Sequence, residues 1–317
     1  MNNVEEQSTD NGWHPLRHPS YVEWWYLDAI FQTGDVLSGS LGLWGDLRRP
    51  AEVTVRSDFF MRRPTGDLLD FGRVVTLDHF LASTTRCDVG LGSQRLFESD
   101  GRFLLFLTDL EGDTVLDLEY TPLFPGFAYR YELDEPDRAF WWAVPAPWAT
   151  VKGTLQKSGR TVSLNGTGYH DHNWASISIT HRFGGWDWWR LHYRSGAVVF
   201  ARVLAPNGGV LFQLLYWVDA DTGKTRMMTD QDTGFLIADD RRSWRVQSGD
   251  GGFSLELTLS RTECLVYRSA DHHYGRFHSR GTGMIGQEND RQLFTGSVLH
   301  ESQRFSRGNL TYENPAS

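Results

Sequence analysis

The sequence is poor in cysteine, in basic charge and in long apolar runs, and each shortage narrows the class of protein. Its 317 residues include 2 cysteines, which excludes a disulfide scaffold and a cysteine-based zinc ribbon. Lys and Arg total 31 against 40 Asp and Glu, so the net charge is −9. An acidic chain without a basic stripe is a poor partner for nucleic acid or an anionic membrane surface, and we expect neither.

Segments that would cross or target a membrane are also missing. The longest apolar stretches, "GAVVFARVLA" and "GVLFQLLYWV", are too short to span a bilayer as helices. The first residues, "MNNVEEQSTDNGW", lack the basic start and the apolar run of a signal peptide. We therefore expect a cytoplasmic protein without a membrane span, and the sequence leaves its oligomeric state unknown.

Helical periodicity is scarce, and strand patterns occur along the whole chain. Segments such as "RFLLFLTDL", "TVLDLEY" and "FSLELTLSR" are short, rich in β-formers and often alternate apolar with polar residues. Turns such as "KSGR", "PNGG" and "DADTGK" separate them. The pattern predicts an all-β protein of roughly 16 to 20 antiparallel strands, arranged as a sandwich or barrel.

A weak internal repeat indicates two β-domains. "EWWYLDAIFQTG" (23–34) aligns with "DWWRLHYRSG" (187–196), because both read acid-Trp-Trp-x-Leu and then reach a glycine turn. We interpret this as a duplication in which each copy opens one domain. The predicted organisation is a polar tail at 1–12, an N-terminal domain at 13–182 and a C-terminal domain at 183–317.

The segment "GTGYHDHNW" concentrates side chains that donate, accept or ligate. On a strand, alternation would put them on two faces. One face would carry Tyr169, Asp171 and Asn173, and the other His170, His172 and Trp174. The two glycines that precede Tyr169 would allow a close backbone approach or a bulge.

A metal site is one interpretation of this segment. His170 and His172 share a face, as a zinc ligand pair would require. A third ligand would have to come from elsewhere, and no spacing rule chooses among "DHH" (271–273), His192 and His181. We therefore predict no metal. A catalytic nucleophile is disfavoured too, since the chain has no GxSxG elbow and neither cysteine has a recognisable partner.

An acid catalyst needs only one carboxyl in a dry, aromatic pocket. Burial favours neutral Asp171, which could protonate an alkene or epoxide, and aromatic faces would stabilise the resulting cation. A neighbouring His or Tyr could reload the acid. The competing interpretation is a structural hydrogen-bond network of Tyr, Asp, His and Asn.

Aromatic residues make up 14% of the chain, which requires large cores or an apolar cavity. In "WDWW", alternation puts Trp186 and Trp188 on one face with Arg190, and Trp189 on the other. Such a strand suits a barrel wall, with a cavity for an apolar ligand at the domain junction. Glu23, Asp187 and Arg190 would form a buried charge pair there, either as a structural salt bridge or as substrate contacts.

Four segments, in order, resemble the carotenoid 1,2-hydratase (hydroxyneurosporene synthase) family: "EWWYLDA", "WWAVPAPWATVKGTL", "GYHDHNW" and "WDWWRLHY". The resemblance runs from about Trp13 to the end of the chain. It extends to a superfamily of tandem lipocalin-like proteins that includes merosterol-type cyclases and lipocalin-like Diels–Alderases. The family motif often continues "HNWG", whereas this chain has Ala175 at that place.

The resemblance implies two lipocalin-like β-domains with an apolar pocket at or near their junction, and no metal or organic cofactor. It also implies that Asp171, the Asp of the "YxDHNW" motif, is the proton donor to a terminal alkene of a small apolar polyene, isoprenoid or polyketide. We expect His170, His172 and Tyr169 to tune or reload this acid. The expected substrate-binding residues are Glu23, Trp25, Trp148, Asn173, Trp174, Trp188 and Arg190.

Two alternatives share this fold. A pericyclase would use the same pocket to fold a flexible substrate, without a strong acid. A non-catalytic carrier of hydrophobic ligands would use the cavity alone.

Overall fold

The computed structural model describes residues 11–132, 138–229, 236–239, 243–248, 252–268, 272–287 and 290–305. The chain divides into two compact units, Met1–Ser178 and Ile179–Ser317. Strands dominate the described residues of both units, and the short helix α1 spans Ile179–Arg182. Among the described residues, no helix has the length and apolarity needed to cross a bilayer.

The first unit forms a 14-stranded sheet in which every pair of neighbouring strands is antiparallel. Its strands are β1 (Val22–Phe31), β2 (Val36–Trp44), β3 (Thr54–Ser57), β4 (Phe60–Arg62), β5 (Leu68–Asp70), β6 (Arg73–Val75), β7 (Phe80–Ala82), β8 (Asp88–Leu91), β9 (Gln94–Ser99), β10 (Arg102–Thr108), β11 (Thr114–Pro122), β12 (Phe127–Glu132), β13 (Ala139–Lys157) and β14 (Arg160–Ala175). The main order is β5-β4-β2-β1-β14-β13-β11-β10-β9-β8-β7, so the first strand pairs with the last.

The second unit forms a 9-stranded antiparallel sheet with order β18-β17-β16-β15-β23-β22-β21-β20-β19. Its strands are β15 (Gly185–Tyr193), β16 (Gly196–Leu204), β17 (Val210–Asp219), β18 (Lys224–Thr229), β19 (Leu236–Asp239), β20 (Ser243–Gln247), β21 (Ser254–Arg268), β22 (His272–Gln287) and β23 (Asp290–Phe305). Here too the first strand of the unit pairs with the last.

The predicted fold class is confirmed: the chain consists of two tandem lipocalin-like β-domains. The described residues form more strands than the sequence predicts, because several edge strands, such as Phe60–Arg62, have only three residues. The two compact units divide after Ser178, and the predicted boundary after residue 182 stays a prediction. Residues 1–10 of the predicted tail lie outside the described residues, whereas Asn11 and Gly12 are buried.

In each unit a cluster of buried apolar side chains packs on one face of the first strand. In β1 the side chains of Trp25, Leu27 and Ala29 alternate into a core cluster of aliphatic and aromatic residues. In β15 the side chains of Trp189 and Leu191 do the same in the second unit. Removing these rings and branched chains from water supplies the main favourable term for folding.

Two glycines let β14 lie close to β1. A Cβ at Gly166 would come within 2.2 Å of the Ile30 carbonyl oxygen, and one at Gly168 within 2.5 Å of the Asp28 carbonyl oxygen. Neither position has room for a side chain. The expected close backbone approach before Tyr169 is therefore present, and it brings the polar end of β14 firmly against β1.

Candidate functional site

The "YHDHNW" segment lies on β14 between β1 and β13, and its side chains alternate as the sequence predicts. Tyr26 of β1 lies directly opposite Asp171, and Trp25 lies opposite His172. Because directly opposed residues share a face, Asp171 belongs to the face away from the core cluster. We call this the Asp171 face, and we call the other the core face.

On the Asp171 face, three hydrogen bonds surround one carboxyl group. Tyr169 Oη donates to Asp171 Oδ2 at 2.8 Å, and Trp142 Nε1 donates to the same oxygen at 3.1 Å. Asn173 Nδ2 donates to Oδ1 at 2.7 Å. Asp171 is 5% exposed and Trp142 is 3% exposed, so these bonds form in a nearly dry environment. Donors aimed at both oxygens stabilise the ionised carboxylate, while burial favours the neutral acid.

The strand pairing is irregular directly beside Asp171. The register between β13 and β14 shifts on both sides of Ala146. As a result, Val144 and Pro145 lie opposite Asp171, where a regular ladder would have one residue. Pro145 and Pro147 have no N–H for a ladder hydrogen bond, which explains a bulge in an otherwise long strand. Bulges re-aim side chains, and this one lies beside the carboxyl group.

On the core face, Glu23 is fully buried and accepts several hydrogen bonds. His172 Nε2 lies 2.8 Å from Glu23 Oε1, and the His14 backbone N–H donates to both carboxylate oxygens at 2.9 and 3.1 Å. The Tyr21 hydroxyl donates to Oε2. Burial pushes the pKa of Glu23 upward, but the nearby imidazoles of His14 and His172 outweigh it and hold the pKa below its ordinary value. Burial, followed by the charge of Glu23, raises the pKa of Tyr21.

His170 is held neutral in the core. Its Nδ1 lies 2.9 Å from the Tyr26 carbonyl oxygen, and its Nε2 lies 3.0 Å from Asn11 Nδ2. The first contact requires a proton on Nδ1, so Nε2 accepts. Burial lowers the pKa of His170 to about 3. Both ring nitrogens are therefore committed on the core face, and the structure does not bring this imidazole to Asp171.

A row of aromatic rings covers the core face of the same strands. The His14 ring stacks on Trp174 at 3.9 Å between ring centroids, and the Trp25 ring stacks on His172 at 4.4 Å. Trp141, the cross-strand neighbour of Trp174, stacks on it at 5.7 Å. Trp25 and Trp174, which are expected substrate-binding residues, thus lie beside Glu23 and His172 on the core face.

The remaining predicted site residues lie elsewhere. Trp148 is half-buried on β13 and stacks on Phe124 at 5.8 Å. Trp188 and Arg190 are buried on β15 of the second unit, and Arg190 Nη1 lies 3.3 Å from His192 Nδ1. The structure therefore groups Tyr169, Asp171 and Asn173 on one face and Glu23, Trp25, His172 and Trp174 on the other.

Within the second unit, the predicted pairing of Asp187 with Arg190 is wrong, whereas a pairing of either residue with Glu23 stays a prediction. Glu23 bonds to groups of its own unit, and Asp187 pairs with Arg202 at 2.7 Å and Arg304 at 2.8 Å. The reason is strand parity: Asp187 and Arg190 are three residues apart on β15, so their side chains point to opposite faces.

Sequence reasoning missed three residues of the site. Trp142 lies in the motif "WWAVPAPWATVKGTL", but the face to which its side chain points depends on the register between β13 and β14. Tyr21 precedes the Trp-rich strand by one residue, and alternation from Glu23 would have placed it on the same face. His14 comes from an irregular segment, where no periodicity could predict its contact with Glu23.

Comparison with known proteins agrees with the motifs. Residues 126–254, which include "YHDHNW", match the family model of carotenoid hydratase CrtC. The acyclic carotenoid 1,2-hydratase of Thiocapsa roseopersicina is 26% identical over 225 residues, which cover 63% of this chain and 54% of the relative. The chain thus spans about half the length of that relative.

Solved structures share the fold over nearly the whole chain. A Nitrosomonas europaea protein named for AttH superposes with a TM-score of 0.63 at 17% identity, covering 95% of this chain and 97% of its own. Kievitone hydratase from Nectria haematococca gives 0.57 at 13% identity, covering 96% of each chain. CghA with Sch210972 gives 0.58 at 12% identity, covering 92% and 90%. The predicted resemblance is therefore confirmed: the chain is similar to carotenoid 1,2-hydratases in sequence and shares the fold of these solved structures.

Proposed function

We propose that the protein is a cofactor-independent hydratase or cyclase of an apolar polyene, isoprenoid or polyketide, and that Asp171 is the proton donor. The observation that carries this proposal is the buried Asp171 carboxyl with donors on both of its oxygens. The similarity of residues 126–254 to carotenoid hydratases points to the same reaction class.

The hydrogen bonds to Asp171 fit the needs of a general acid. Proton transfer to carbon leaves a carboxylate, and the donors from Tyr169, Trp142 and Asn173 already point at its oxygens. Fixed donors that meet charge as it develops lower the barrier without reorganisation at the moment of reaction. Burial keeps the carboxyl away from water, which would otherwise take the proton from it.

The substrate lies, in this proposal, against the Asp171 face with its terminal alkene at the carboxyl. The Asp171 proton goes to the less substituted carbon of the alkene, the alkene electron pair forms the new C–H bond, and the cation develops at the branched carbon. Water or an internal alkene then attacks the cation. Loss of a proton from the adduct to the carboxylate restores the acid. The Trp142 ring, which has Phe127 at its edge 5.4 Å away, offers an aromatic face to the cation.

The remaining predicted catalytic residues take different parts. Tyr169 touches Asp171 and is the neighbour that can pass a proton to it. His170 and His172 project to the core face, so we assign them to positioning β14 rather than to proton transfer. Asn173 orients the carboxyl group through its amide.

The Asp171→Asn variant tests this proposal, with an acyclic carotene that carries a terminal branched alkene as the substrate. We expect turnover to fall by about 10²–10⁴-fold, the usual contribution of a general acid. Folding should persist, since the amide nearly matches the carboxyl in size and the Asn173 amide can reverse its donor and acceptor.

Asp35→Asn is the matched control, because Asp35 is a buried carboxylate of the same unit that pairs with Arg63 at 2.9 Å. The control should retain turnover per folded molecule. Unchanged turnover in Asp171→Asn, or an equal loss in both variants, would remove the acid role.

A further inference from the structure

The core face carries a second group of chemically active side chains that the proposed reaction does not use. His14, Glu23 and His172 each offer one ligand atom, and these three atoms lie within 4.8 Å of one another. Glu23 Oε1 is 2.8 Å from His172 Nε2 and 3.5 Å from His14 Nδ1. The three side chains come from β1, β14 and the segment before β1, so the fold assembles them from distant positions.

We propose that His14, Glu23 and His172 form a binding site for a divalent transition metal of the zinc class. Two imidazoles and one carboxylate are a ligand set that zinc uses, with the fourth position open to water. Bonds of about 2.1 Å would put neighbouring ligand atoms of a tetrahedral site roughly 3.4 Å apart. The two distances from Glu23 Oε1 lie on either side of that value, and the two imidazole nitrogens lie within 4.8 Å of each other, so metal binding requires an adjustment of up to about 1.4 Å between ligand atoms.

One atom of the group points to a ligand independently. His14 Nδ1 is buried and has no hydrogen-bond partner among the described residues. A buried polar atom without a partner costs free energy, and native structures rarely keep one without a reason. His14 Nδ1 faces the fully buried Glu23 carboxylate, and a cation bound to both groups would give each of them a partner.

Groups around the three side chains also fit a metal site. The Tyr21 hydroxyl and the His14 backbone N–H hold the Glu23 carboxylate, and Trp13 Nε1 in turn donates to the Tyr21 oxygen at 2.9 Å. Outer hydrogen bonds of this kind orient the ligands of protein metal sites. The aromatic stacks of Trp174 on His14 and of Trp25 on His172 fix the planes of both imidazoles.

The proposed site is separate from the Asp171 chemistry. His172 and Asp171 are neighbours on β14, so their side chains leave opposite faces of the strand. A metal there would tie the segment around His14 to β1 and β14, which is a structural role. The prediction of no metal assumed that His170 and His172 would be the ligand pair, but His170 is occupied by Asn11 and Tyr26.

The test is a titration of the untagged, chelator-treated protein with zinc chloride by calorimetry, repeated with cobalt(II) by absorption spectroscopy. We expect one equivalent of zinc to bind, with a saturable rise of the thermal midpoint by several degrees. Cobalt(II) should give the intense visible bands of a four-coordinate site. The absence of stoichiometric binding would overturn the proposal.

His14→Ala is the variant of choice, because His14 is partly exposed and lies outside the strands. It should abolish zinc binding and the thermal shift, whereas His79→Ala, which removes an exposed histidine of the same unit, should leave both unchanged. Equal zinc binding by wild type and His14→Ala would contradict the site.

Glu23→Gln, checked for folding by circular dichroism, should weaken zinc binding as well. Turnover that depends on Asp171 should persist in the metal-free protein, which separates this outcome from a failure of the proposed reaction.

Discussion

The strand that begins acid-Trp-Trp occurs once in each unit, and in each it pairs with the last strand of that unit. Glu23 lies opposite Trp174 in the first unit, and Asp187 lies opposite Ser302 in the second. Counting from these pairs, Trp25 corresponds to Trp189, and both are fully buried in their cores. The two units therefore share a register at this strand pair but not its chemistry.

The carboxylates show the first difference. Asp187 is held by two guanidinium groups, those of Arg202 and Arg304. Burial raises the pKa of Asp187, but these two charges outweigh it and hold the pKa below its ordinary value. Glu23 bonds instead to imidazole, phenol and a backbone N–H. The second unit neutralises its carboxylate permanently, while the first surrounds it with groups that can exchange protons or bind a cation.

The position of Asp171 shows the second difference. Asp171 lies opposite Tyr26 in the first unit, and the corresponding pair in the second unit is Leu299 opposite Arg190. A leucine at the equivalent place shows that this strand pair folds without a carboxyl group there. The polar group around Asp171 is thus specific to the first unit, which favours a functional role over a structural network.

Asp187→Asn should give the largest change in stability, because it leaves two arginines without their buried partner. We expect the free energy of unfolding of the second unit to fall by about 3 kcal/mol. Urea unfolding followed by tryptophan fluorescence measures this. Asp171→Asn should shift the urea transition far less. Equal shifts in the two variants would contradict the distinction between a structural carboxylate, Asp187, and a functional one, Asp171.

Tyr169→Phe and Trp142→Phe each remove one donor to Asp171 Oδ2 and should lower kcat more than they raise KM. A hydrogen bond to a charged group contributes about 1.5–3 kcal/mol, so we expect roughly a 10- to 100-fold loss of turnover. Tyr193→Phe, which removes a hydroxyl bonded to Trp217 in the second unit, is the control. Equal kinetics in all three variants would show that the donors do not act on the acid.

His300→Gln should have the smallest effect, and it should appear only in acid. Burial lowers the pKa of His300 to about 4, below the ordinary 6.5. As the pH falls from 6.5 towards 4, His300 binds a proton in the unfolded chain but stays neutral in the folded chain, so the free energy of unfolding decreases. The variant should flatten this decline by about 1 kcal/mol per pH unit. Denaturation at pH 7 and at pH 5 measures the slope, and identical slopes would contradict the assignment.

Much of the strand content and the two faces of β14 could be predicted from sequence, because alternation depends only on neighbouring residues. The contacts across strands could not. Glu23 meets His172 across 149 residues of chain, through a register set by the whole sheet. The bulge opposite Asp171 and the contact of His14 depend on irregular backbone, which has no period. The same alternation that correctly predicts the two faces of β14 puts Asp187 and Arg190 on opposite faces of β15, so their predicted pairing was inconsistent with it.

The origin of the new hydrogen on the product is the most direct test of Asp171 as an acid. Turnover of an acyclic carotene in D2O, followed by mass spectrometry and NMR of the product, reports it. The account predicts one solvent-derived deuterium on the less substituted carbon of the former alkene, with a single configuration set by the Asp171 face. A product without carbon-bound deuterium would contradict it and would indicate a pericyclic reaction. No conversion at all would indicate a carrier.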